Sequence, residues 1–137
     1  YYGSEWGITG QRSAHSDQTL RPALNLQQLI QHAPQANLPA TIQKLAQFRA
    51  VTPALQTGSY RQAYVSSQQF AFWREIDKQK VLVVLNSSSE VFTLFGIQIP
   101  EHLQLTRVFE NQVNFRVDHD QLEVSTPPNW ASIFVFE

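Results

Sequence analysis

No cysteine occurs among the 137 residues, which excludes disulfides and thiolate metal sites and leaves a cytoplasmic and a secreted setting both open. A basic excess is missing too: 10 lysines and arginines face 11 aspartates and glutamates, for a formal net charge of −1. That balance has nothing to neutralise a phosphate backbone, so nucleic acid is not expected as a partner. No apolar run approaches the roughly 20 residues needed to cross a bilayer, so no membrane partner is expected either. Internal repeats, low-complexity segments and a signal peptide are not visible. Neither the HExxH zinc spacing, the G-x-S-x-G elbow, a phosphate loop nor a dinucleotide fingerprint is present, and no cofactor or metal is expected. What is there is a chain 42% hydrophobic and 15% charged, the composition of a globular protein long enough to bury a core.

The sequence opens Tyr1-Tyr2-Gly3-Ser4-Glu5, an aromatic pair running into a glycine turn. These residues read as the end of a core strand whose partners are not in the sequence, so the chain is expected to be a piece of a larger protein. Gly3, Gly7 and Gly10 then break up a polar stretch reaching about Leu20, with Arg12, His15, Asp17 and Arg21 in or beside it. A loop of that length inside a compact domain is often functional, and otherwise a solvated connection. Leu26, Leu29 and Ile30 have the spacing of a short amphipathic helix, ended by Pro34. Asn37 and Pro39 mark the start of a second helix, carried by Leu38, Ile42, Leu45, Ala46 and Arg49 and stopped at Thr52-Pro53.

From Tyr60 onward the period falls to two. Phe70, Phe72 and Ile76 share one strand face, and Ala71, Trp73 and Glu75 the other. Residues Val81 to Leu85 are apolar on both faces, as a central strand would be. Asn86-Ser87-Ser88-Ser89 reads as a turn, and Val91 to Ile99 as a strand bent at Gly96. Val113, Phe115 and Val117 alternate, as do Leu122 and Val124, around a turn at Asp118-His119-Asp120-Gln121; Ala131 to Phe136 forms a last strand after Pro127-Pro128-Asn129. Short strands separated by turns predict a mainly β fold, an antiparallel sandwich preceded by helices, with the change of character near residue 53.

The chemistry is thin. Glu5 and Asp17 are the carboxylates nearest the glycine-rich loop, and neither has a neighbour that the sequence places at the separation sugar hydrolysis needs. Glu5 reads as a structural ion-pair partner. Asp118-His119-Asp120 could suggest a metal, but an Asp-rich hairpin turn explains it with no further ligands. Trp73 reads as core or domain interface, and Trp6, just past the first strand, as a candidate for lining a site. No complete catalytic set is encoded.

The order of segments nevertheless resembles a known family. Tyr1-Tyr2-Gly3-Ser4-Glu5-Trp6-Gly7 is similar to the Tyr-Tyr-Gly-x-Glu-x-Gly motif of the α-amylase family of glycoside hydrolases, the group of maltogenic amylases, neopullulanases and α-glucosidases. The match continues through Gly10, Asp17, Arg21-Pro22 and Leu45 to Arg49, then Pro53-Ala54-Leu55 and Gly58-Ser59-Tyr60, then Phe70-Ala71-Phe72-Trp73-Arg74 and Val81 to Asn86. The resemblance implies that residues 1–52 are the last strand, loop and helices of a catalytic (β/α)8 barrel, and that residues 53–137 are a C-terminal antiparallel β-domain packed on it. It implies a parent that is a retaining enzyme acting on α-glucosidic bonds of starch-type glucans or maltooligosaccharides. The family's catalytic Asp, Glu and second Asp lie upstream of the Tyr-Tyr-Gly motif, so no catalytic residue maps onto this chain, which is expected to be inactive alone. Asp17 and Arg21 have the spacing with which some members hold a glucose unit on the non-reducing side of the cleaved bond. The implied partners are the rest of the barrel and, through the parent, the glucan. A different class of function also fits the residues: a non-catalytic carbohydrate-binding or domain-packing β-sandwich module.

Overall fold

The computed structural model describes residues 3–109 and 113–137. Tyr1 and Tyr2, expected to end a strand, lie outside the described residues. The chain divides into two compact units, Tyr1–Phe48 and Arg49–Glu137.

In the first unit a long loop precedes two helices. Helix α1 spans Leu26–His32 and begins at Asn25, whose side chain accepts a hydrogen bond from the Gln28 backbone N–H and so satisfies one of the helix's open donors. Helix α2 spans Leu38–Ala50 and carries Arg49 in its last turn, where a positive charge complements the helix dipole. Neither helix contains a buried residue.

The second unit opens with a short helix, α3, at Pro53–Thr57. The sequence reading passes over it because five residues are too few to show a helical period. Its cause is local: Pro53 sits in the first turn, where a missing N–H costs nothing. The side-chain carbonyl of Gln79 accepts from the buried Ala54 N–H at 2.8 Å, tying the helix to the sheet beneath.

Among the described residues eight strands follow: β1 Ser59–Val65, β2 Gln69–Ile76, β3 Gln79–Asn86, β4 Phe92–Gln98, β5 Leu105–Phe109, β6 Asn114–Asp118, β7 Gln121–Thr126 and β8 Trp130–Phe136. They form a five-stranded sheet ordered β1-β2-β3-β8-β5 and a three-stranded sheet ordered β4-β7-β6, all pairs antiparallel. This is the mainly β architecture expected, with Val81 to Leu85 in the central strand β3. The core lies between the two sheets: Ala71, Trp73, Leu82, Val84, Phe134 and Phe136 from the larger meet Leu94, Leu122 and Val124 from the smaller. Each valine, leucine or phenylalanine side chain among these, taken fully from water, contributes about 1.5–3 kcal/mol. Trp73, 3% exposed, packs on Phe136 at 5.7 Å between ring centroids, so it is core as read.

Strand β5 is absent from the sequence reading. Leu105 and Val108 both pack against the core, although they are three residues apart, because the register with β8 slips between Leu105 and Arg107. A bulge of this kind erases the two-residue period that would announce the strand.

Candidate functional site

The polar loop of the first unit is folded tightly on itself. A 3₁₀ turn at Ser4–Trp6 is closed by Trp6 N–H and Ile8 N–H, both donating to the Gly3 carbonyl at 3.1 Å. The Trp6 carbonyl in turn accepts from Gln35 N–H at 3.1 Å. Further along, Gly10 passes so close to Thr19 that a Cβ there would lie 2.1 Å from the Thr19 carbonyl oxygen. Only glycine allows that approach, and the Thr19 hydroxyl fastens the crossing by donating to the Gln11 carbonyl. Residues 12–18 are thereby pinched into a closed excursion, knotted internally by reciprocal bonds between Ser13 and Ser16 at 2.9 Å.

Asp17 and Arg21 stand at the exit of this excursion. A second 3₁₀ turn, Gln18–Leu20, brings them to one side: Leu20 N–H donates to the Asp17 carbonyl at 2.9 Å and Arg21 N–H to the Gln18 carbonyl at 3.0 Å. Their heads form an ion pair, Arg21 Nη2 to Asp17 Oδ2 at 3.2 Å, with the side chains 61% and 52% exposed. A pair so exposed contributes at most about 1 kcal/mol to stability. Its groups therefore remain available to a ligand: a carboxylate that accepts from hydroxyls beside a guanidinium that donates to them.

Beside the pair, Ser4, Ile8, Thr9, Gly10, Thr19 and Leu20 are the main lining of an open depression of about 290 Å³. The sequence signal for it was the glycine spacing alone. Trp6 is half-buried and does not line this depression; Glu5 is exposed and makes no ion pair among the described residues. Asp118-His119-Asp120 forms the β6–β7 turn, with His119 in the left-handed region at φ 54° and its Nδ1 2.8 Å from Asp118 Oδ1. Among the described residues no group of three or more His, Asp or Glu side chains could hold a metal ion.

No protein-family model and no curated protein matches the chain. Solved structures do. An α-amylase from Anoxybacillus, 20% identical, superposes with a TM-score of 0.79 over 99% of this chain and 28% of that one. The α-amylase of Geobacillus thermoleovorans, solved with acarbose, is 19% identical with a TM-score of 0.79, over 100% of this chain and 29% of its own. A debranching enzyme from Nostoc punctiforme, 21% identical, matches 77% of this chain and 21% of its own at a TM-score of 0.61. The fold is that of the C-terminal region of α-amylases. The likeness to α-amylase structures covers both units, and the chain spans less than a third of the length of each of these enzymes. At such identities the likeness is one of fold, and it places no catalytic group in this chain.

Proposed function

We propose that the chain is the C-terminal portion of an enzyme acting on α-glucosidic bonds of starch-type glucans or maltooligosaccharides, and that its own part in that enzyme is structural. Residues 1–52 complete the catalytic barrel, residues 53–137 form the β-domain, and Asp17 with Arg21 contacts a glucose unit of the substrate. The observation that carries this reading is the open apolar side of the first unit. Leu26 and Ile30 of α1 are 62% and 59% exposed, Ile42 and Leu45 of α2 are 44% and 38% exposed, and Gly3 is the only buried residue among those described there. Amphipathic helices take their stability from burying that stripe, so a further surface must cover it. The α-amylase-like fold supports a catalytic barrel as that surface. The Asp17–Arg21 pair then lies on a loop after a barrel strand, where barrel active sites are built.

The test has two arms. The purified 137-residue chain should not turn over an aryl α-glucoside above a mock preparation; turnover would overturn the structural role. Adding the chain to a preparation of the preceding barrel segments should restore both their solubility and their glucosidase activity, and failure to restore either would remove the parent assignment.

A further inference from the structure

Strand β4 does not run straight. Leu94 pairs with Val124 and Ile97 with Leu122, so Phe95 and Gly96 together stand opposite the single residue Glu123. Gly96 holds the bulge at φ 67°, in the left-handed region where a side chain would be strained. The slip lets Leu94 and Ile97 both keep to the core, while Phe95, next to Leu94, faces the other way. It emerges on the far face of the three-stranded sheet, 67% exposed, more than any other large hydrophobic residue described.

The surroundings of that ring are polar and mixed in charge. Arg116 faces Glu123 and Asp118 faces Gln121 across the β6–β7 ladder, and all four line a shallow depression of about 180 Å³ with Phe95. Arg116 and Glu123 stand directly opposite with opposite charges, yet no ion pair joins them among the described residues. Their donors and acceptors are open to a ligand. A Cβ built on Gly96 would meet nothing within 4 Å, so the ground beside the ring is clear.

Asp118 and Glu123 oppose an anion here, and among the described residues no group of three or more His, Asp or Glu side chains could hold a metal cation. Strand addition by a peptide along β4 is opposed by the bulge, which breaks the regular run of edge hydrogen-bonding groups. A neutral pyranose fits: one face is C–H and lies on an aromatic ring, while its rim of hydroxyls needs both donors and acceptors. We propose that the outer face of this sheet is a second, non-catalytic sugar site, with Phe95 as the stacking platform and Arg116, Gln121 and Glu123 as hydroxyl partners. That the sugar is an α-glucan rests on the functional reading above; the platform does not.

The test is protein-observed NMR titration of the intact chain with maltoheptaose and, separately, cellohexaose. Maltoheptaose should shift the amides of β4, β6 and β7. Phe95→Ala should weaken the binding read at these amides at least tenfold and Phe95→Trp should restore or tighten it; the exposure of Phe95 lets both variants fold. Cellohexaose binding that is lost in Phe95→Ala, with none for maltoheptaose, would keep the platform and remove the α-glucan assignment. Binding that survives Phe95→Ala but not Arg21→Ala would overturn the platform and leave the functional reading standing. The absence of any saturable shift at millimolar sugar would also overturn it.

Discussion

Replacing Asn86 with alanine should be among the most damaging single changes in the β-domain. The residue is 2% exposed at the end of β3. Its amide nitrogen donates to three carbonyls, those of Glu90 at 2.7 Å, Pro127 at 3.1 Å and Thr126 at 3.2 Å. Its carbonyl oxygen accepts from the Ser88 hydroxyl at 2.7 Å, the Ser88 N–H at 3.1 Å and the Gln69 side chain at 3.2 Å. One side chain thus stitches the β3–β4 loop to the end of β7. The methyl of Asn86→Ala would restore none of these bonds. The bond to Thr126 is buried, whereas those to Glu90 and Pro127 are partly open to water. With two N–H hydrogens and two lone pairs the side chain makes at most four full bonds, so at about 1 kcal/mol per lost bond the change should cost about 3–4 kcal/mol. For a unit of this size that is a fall in Tm of roughly 12–32 °C. Urea denaturation followed by far-UV circular dichroism measures it. A loss under about 1 kcal/mol would show that water reaches these carbonyls readily and would refute the reasoning. Asn86→Asp sharpens the test, because at neutral pH it sets a carboxylate against three carbonyls. The folded state would raise the pKa of that new acid. Its penalty should therefore be full above the raised value, fade as pH falls from there towards the unfolded value of about 3.9, and be gone below it.

Two further outcomes follow from other parts of the molecule. The Arg61 guanidinium, 2.7 Å from Glu75, hydrogen-bonds that carboxylate and holds its pKa below the ordinary range against the opposing effect of burial. A depressed folded-state pKa contributes stability that is present above the unfolded value near about 4.3 and lost as pH falls through the folded value, so Glu75→Gln should flatten the acid limb of urea midpoints measured from pH 7 to 3; an unchanged acid limb would remove the pair from the account. In an enzyme carrying this chain, Arg21→Ala should lower kcat/KM on maltooligosaccharides about tenfold, which is about 1.4 kcal/mol, while leaving Tm unchanged, and equal kinetics would end its assignment as a sugar contact.

Legibility in the sequence tracked how local the cause of each feature is. Val81 to Leu85 announced a central strand because burial on both faces leaves no polar residue in the run, and all but Leu85 are buried. Leu122 and Val124 announced a one-sided strand because their neighbours Glu123 and Ser125 face away from the core. The bend expected at Gly96 is the β4 bulge. What the sequence hid depends on partners far along the chain. Asn86 reads as one more residue in a serine-rich turn, while its bond to Thr126 crosses 40 positions. Phe95 reads as an ordinary alternating strand residue, and only the pairing of Ile97 with Leu122 shows that the period has slipped beside it. The Asp17 and Arg21 spacing was visible; that a 3₁₀ turn closes it into a pair was not.

The two units also divide the physical work differently, and that bears on where chemistry can reside. The second unit holds nearly all the buried side chains described, including fully buried Phe134 and Phe136, and its hydroxyls at Thr126 and Ser132 satisfy each other at 2.9 Å within the core. Such a body is rigid and already satisfied, with little free polar capacity inside for catalysis. The first unit is the reverse. Its loop is shaped by backbone and hydroxyl bonds, its apolar helix faces are open, and its charged pair points to solvent. A loop held in place by its own bonds but lacking a covered core can present Asp17 and Arg21 with precision only once the helices beneath it are packed. Under the proposed function, substrate contact by this pair and burial of Leu26, Ile30, Ile42 and Leu45 are one event, and a substitution such as Ile42→Asp should abolish both together, read as loss of kcat/KM on maltooligosaccharides and of solubility.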